Sequence, residues 1–150
     1  MDSNRPIVRA VCARAVVAAL AALAAIGCAS SPISSTRVED SLATTFANLV
    51  ELQVARLALP AMRAPDFAVT AICRRAIGNE RGSGEWSCTL VWQGPDRRML
   101  RDTYDVYVAT DGCYTARLNG ESLGGPTLKR ADGTPVRNLL YTFEGCFDRT

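Results

Sequence analysis

Six cysteines and no histidine limit the chemistry open to this chain. Without an imidazole, the commonest general base and the commonest metal ligand are missing. Cys73, Cys88, Cys113 and Cys146 have a redox or metal-binding reading and a structural one. None of the four stands in a C-x-x-C pair, and no histidine is there to complete a zinc site. Disulfides are the simpler use, because they suit an exported chain. Paired carboxylates are the next candidates, Asp102 with Asp105 or Glu80 with Glu85. Acid–base work would need one carboxyl held away from water. Nothing in the pattern forces either pair into a cleft, so they read as solvated charges. Ser87 and Ser122 have no base to activate them. Gly82, Gly84, Gly124 and Gly125 lack the strand–glycine–helix setting of a phosphate loop. The expectation is no catalytic residue, no metal and no cofactor.

The elements that must position these residues follow from periodicity. Trp86, Cys88, Leu90 and Trp92 alternate along 86–92, the period of a half-buried strand. Phe67, Val69, Ala71 and Cys73 alternate likewise, and the glycine-rich stretch 79–84 turns the chain between the two runs. Folding them together sets Cys73 opposite Cys88, Ala71 opposite Leu90, Val69 opposite Trp92 and Phe67 opposite Gly94. Large residues then meet smaller ones across the pair. After a turn at Gly94-Pro95-Asp96, Tyr104, Val106 and Val108 fall beside Leu90, Cys88 and Trp86. Asp111-Gly112 signals a hairpin with two possible registers. A three-residue loop with a left-handed Gly112 keeps Tyr114, Ala116 and Leu118 on the apolar face, and it avoids burying Arg117 without a partner.

Residues 138–147 have a helical and a strand reading. As a strand they fit beside 113–118, with Cys113 opposite Cys146, Thr115 opposite Glu144, Ala116 opposite Phe143, Arg117 opposite Thr142, Leu118 opposite Tyr141 and Gly120 opposite Leu139. The irregular stretch 120–135 lies between, with a small hairpin at Asp132-Gly133. On the N-terminal side, Val38, Leu42, Phe46, Leu49, Val50, Val54 and Leu57 recur at helical spacing until Pro60. Thr36 and Glu39 suit a capping box. The expected domain, 37–150, is α+β. One long helix over 37–59 packs on a five-stranded antiparallel meander sheet. The order admits the disulfides Cys73–Cys88 and Cys113–Cys146; other pairings would join strands kept apart or opposite faces of the sheet.

Residues 1–27 read as a targeting segment. Arg5, Arg9 and Arg14 precede a continuous apolar run from Ala15 to Ile26, shorter than the roughly 20 residues of a membrane span. Cys12 precedes that run and is expected to leave with the segment. Ala25-Ile26-Gly27 then leads to Cys28. This resembles the signal of bacterial lipoproteins, although Ala25 stands where that family usually has leucine. The resemblance implies a diacylglycerol on Cys28, which becomes the mature N-terminus. It further implies a short tether over 28–36, and a protein held by palmitate-type acyl chains on the outer side of the cytoplasmic membrane. The alternative is an ordinary signal cut after Gly27 and a secreted protein. Cys28 would then be an odd, unpaired thiol in an oxidising compartment.

Three of the 17 basic side chains and one of the 15 acidic ones precede Cys28, leaving 14 of each in the rest. Such balance gives no electrostatic case for nucleic acid. The surface of interest is the outer face of the sheet, where Ile72, Val91, Tyr107 and Leu140 are expected among Asp105, Arg117 and Glu144. Tyrosine, arginine and aliphatics together suit protein contact. The Val69-x-Ala71-x-Cys73 and Cys88-x-Leu90 spacing is similar to small exported bacterial domains with a disulfide across their first hairpin, and the layout resembles the cystatin-like architecture. Neither resemblance transfers an active residue. The sequence thus predicts a lipid-anchored binding or interaction module with an envelope protein partner. A structural or accessory envelope lipoprotein and a small carboxylate-dependent hydrolase are the alternatives.

Overall fold

A computed structural model describes residues 32–147; Cys28 and the expected targeting segment lie outside the described residues. Helix α1 spans Ser35–Arg56. It starts earlier than the periodicity sets, because Ser34 caps it: the Ser34 Oγ accepts from the Arg37 N–H at 3.5 Å. The Thr36–Glu39 capping box does not form. Ser35 and Thr36, read as tether, are helical, and Glu39 turns to the sheet, where its Oε1 accepts from the Cys73 N–H at 2.8 Å. That amide lies on an edge strand, so the helix satisfies part of an open edge. Val38, Leu42, Phe46, Val50 and Val54 form the buried stripe. Gln53 is buried beside them, its Oε1 accepting from the Leu139 N–H at 2.7 Å.

Five strands form one antiparallel sheet: β1 (Thr70–Arg75), β2 (Gly84–Gln93), β3 (Met99–Val108), β4 (Cys113–Leu118) and β7 (Thr142–Cys146), in that order. The α+β meander is therefore as the alternation predicts. β5 (Thr127–Lys129) and β6 (Pro135–Arg137) make a separate two-stranded ribbon. It closes around Asp132-Gly133, and the Asp132 Oδ1 accepts from the Thr134 N–H at 2.9 Å.

The first hairpin has the expected register, with Ala71 opposite Leu90 and Cys73 opposite Cys88. Phe67 departs from it: it belongs to a 3₁₀ turn, Ala64–Phe67, and is buried there instead of pairing with Gly94. The β2–β3 register differs by two residues. Tyr104 lies opposite Cys88 and Val106 opposite Trp86. The cause is the turn. Arg97 takes a positive φ of 64°, so Pro95–Arg97 closes a short loop with the Gly94 N–H bonded to Arg98 O. A slip of two keeps every side chain on its face. It also draws Asp102 opposite Leu90, on the core side.

The β3–β4 turn follows the three-residue register, with Gly112 at a φ of 84°. Cys113–Cys146, Thr115–Glu144, Ala116–Phe143 and Arg117–Thr142 pair as expected. The closing strand is shorter than 138–147. Asn138 is buried in a turn instead, its Nδ2 donating to Leu123 O and Gly125 O at 2.9 Å each and its Oδ1 accepting from the Leu140 N–H. Leu139 therefore does not pair with Gly120, and Leu140 lies in the core, not on the outer face.

Both disulfides are formed, Cys73–Cys88 and Cys113–Cys146, with Cα atoms 4.1 and 3.9 Å apart. They fit an oxidising, extracytoplasmic environment. Among the described residues no helix is long and apolar enough to cross a membrane.

Candidate functional site

Alternation divides the sheet into a covered and an open face. On the covered face Phe46 of α1 meets Trp92, Tyr104 and Phe143 with ring centroids 5.5, 5.8 and 6.2 Å apart. Tyr104 donates to Leu140 O at 2.7 Å. Burial, with Asp102 beside it, pushes the Tyr104 hydroxyl pKa well above its ordinary value. Tyr114 ties β4 to the helix by donating to Thr45 Oγ1 at 2.9 Å.

The open face is built in rows, because register aligns one residue from each strand. Arg74, Ser87, Asp105, Arg117 and Thr142 form one row. Glu85, Tyr107, Thr115 and Glu144 form the next. The two rows bring together all four residues singled out for binding: Tyr107, Arg117, Glu144 and Asp105. Glu85, Asp105, Tyr107 and Arg117 line an open depression of about 420 Å³. Tyr107 is 59 % exposed and Ile72 58 %. Asp105 is held in place, its two carboxylate oxygens accepting from Asn119 Nδ2 at 3.1 and 3.2 Å. Among the described residues Arg117 and Glu144 make no side-chain hydrogen bond or ion pair; the two ion pairs there join Arg63 with Glu51 and Arg98 with Asp96. The depression therefore offers an aromatic face, a guanidinium fork and, at Asp105, one fixed carboxylate to an outside group.

Asp102 departs from the solvated position expected of it. It is buried, not solvated. Its Oδ2 accepts from Trp92 Nε1–H at 2.9 Å and its Oδ1 from the Ser122 hydroxyl. Two signals point there. Position 102 continues the inward alternation of Tyr104, Val106 and Val108, and a buried indole N–H needs an acceptor. The Asp102–Ser122 pair has no imidazole between carboxylate and hydroxyl. The contact fastens the loop after β4 to the sheet. Asp105, the other carboxylate of that candidate pair, points to the opposite face. Glu80 and Glu85 are both exposed.

Among the described residues no group of three or more Cys, Asp or Glu is arranged to hold a metal. Comparison of the chain with protein-family models, with curated proteins and with solved structures gives no match.

Proposed function

We propose that this protein is a lipid-anchored, extracytoplasmic interaction module that binds an envelope protein through the open face of its sheet. The observation that carries the reading is the pairing of Tyr107 and Arg117 around one depression, both free to engage an outside group, on a sheet whose other face is filled by the helix. Arginine and tyrosine, with tryptophan, are the side chains enriched at the energetic centres of protein contacts. The anchor is the acylated Cys28 implied by the lipoprotein-type signal, and the disulfides suit the same side of the membrane.

The anchor and the face are tested separately. Cys28→Ser is expected to abolish acylation and membrane retention, whereas an unmodified Cys28 thiol in the native protein, found by mass spectrometry, contradicts the anchor. For the face, crosslinking pull-downs from membranes are compared between the intact protein and Tyr107→Ala/Arg117→Ala. Loss of a crosslinked partner at unchanged thermal stability supports the face. An unchanged crosslink pattern contradicts it.

A further inference from the structure

We propose that the tip of the first hairpin, residues 76–83, rests on the bilayer beside the anchored N-terminus, with Ile77 against the lipid and Arg74 and Arg81 on anionic headgroups. The inference rests on the acylation of Cys28 proposed above.

Ile77 is 84 % exposed, more than any other large hydrophobic side chain among the described residues. A single exposed apolar residue is ordinary; its setting is what counts here. The tip is tied together by hydrogen bonds. Arg75 reaches under it and donates to Arg81 O at 2.8 Å and Ser83 O at 2.6 Å. Gly82 and Gly84 take positive φ, and a Cβ at either would meet the Arg75 guanidinium. Ile77 is thus presented on a held turn.

The chain that leads from Cys28 enters the fold at this same tip. The Gly82 N–H donates to Ile33 O at 3.0 Å, and the Ser35 N–H donates to Glu80 O at 3.2 Å. Ser34 bridges to Arg81. Five residue steps separate Cys28 from Ile33. An extended chain covers about 3.3–3.6 Å per residue, so the reach is at most about 18 Å. A lipid on Cys28 therefore keeps the tip close to the headgroups.

The tip's charge suits that place. Arg74 and Arg81 are exposed, and over 74–85 three arginines outnumber Glu80 and Glu85. Guanidinium groups pair well with phosphate oxygens. One isoleucine and two arginines bind a bilayer weakly by themselves. The anchor makes that contact intramolecular, where weak contacts become effective. The contact would stand the strands up from the bilayer and turn the Tyr107–Arg117 face sideways, toward partners on the same membrane.

The test uses the mature acylated protein carrying Ile77→Cys, labelled with an environment-sensitive nitrobenzoxadiazole dye. A second variant, Asp96→Cys, carries the dye at the opposite end of the sheet. Both are reconstituted in phosphatidylcholine vesicles with and without phosphatidylglycerol. The expected result is a blue shift and a several-fold intensity rise at position 77, quenched by spin-labelled lipid, with no change at 96. Arg74→Glu/Arg81→Glu is expected to remove the extra shift that phosphatidylglycerol gives. Water-like emission at 77 from protein that sediments with the vesicles overturns the inference and leaves the anchor standing. Protein that neither sediments nor carries lipid by mass overturns both. A shift seen in native membranes but not in protein-free vesicles assigns the tip to a protein partner and overturns the lipid contact.

Discussion

The two faces of the sheet share the same strands and differ in every other respect. The covered face carries Trp86, Leu90, Trp92, Tyr104, Val106 and Phe143, all buried, with the polar atoms of Trp92 and Tyr104 paired within the fold. The open face carries Ile72, Met99 and Tyr107, each more than half exposed, and Arg117 without a partner among the described residues. Each face has its own disulfide: Cys73–Cys88 is buried under the helix, while Cys146 on the other side is exposed. The difference teaches that stability and recognition are separated across one sheet. Changes on the covered face should unfold the protein, and changes on the open face should leave it folded but unable to bind.

The largest effect is expected from Phe46→Ala. It removes the ring that touches Trp92, Tyr104 and Phe143. A loss of about 3–5 kcal/mol in denaturant unfolding is expected, against a small loss for Tyr107→Ala. Similar losses from the two would erase the distinction between the faces.

The disulfides come next. Their sequence separations are 15 and 33. Loop-closure entropy then assigns them about 3 and about 3.7 kcal/mol. Mild reductant should open Cys113–Cys146 first, since Cys146 is exposed and both partners of the other bond are buried. Hydrogen exchange after Cys113→Ser/Cys146→Ser should rise in 119–147 while β1–β2 stays protected. The reverse order of reduction would count against the assignment of faces.

Asp102→Ala should cost about 1–3 kcal/mol, because it leaves the Trp92 indole N–H buried without an acceptor. It should also loosen 119–126, a change that exchange rates there would report.

Alkaline pH supplies a smaller, graded test. Burial raises the Tyr104 pKa in the folded chain, so the neutral hydroxyl is the stabilising form. That stability is complete below about pH 10, where an unfolded tyrosine begins to ionise, and is lost above it at up to about 1.4 kcal/mol per pH unit. Tyr104→Phe should flatten the slope.

Much of this was legible in the chain. Strict alternation fixed the strands, and opposed cysteines fixed both bonds, because period two admits few registers once one face is apolar. What escaped depended on single turns and single polar groups. A positive φ at Arg97 set the β2–β3 register, and no residue type announces it at an arginine. Asn138 turned Leu140 inward through bonds to Leu123 and Gly125, which lie far along the chain. Asp102 carries a charge that suggests solvent, yet it serves as the acceptor for the buried Trp92 indole N–H. The binding face was legible as a set of residues. Its depression depends on the rows that the exact register creates, and so was not.

The most direct measurement places a photo-crosslinking benzoylphenylalanine at position 107 in the intact protein in its native membranes, with a second variant carrying it at position 52 on the exposed side of the helix. Leu52 is 53 % exposed and Tyr107 59 %, so accessibility is matched. The account predicts a discrete protein adduct from position 107 that Arg117→Ala abolishes, and none from position 52. Equal adducts from both positions, or none from 107, would contradict it.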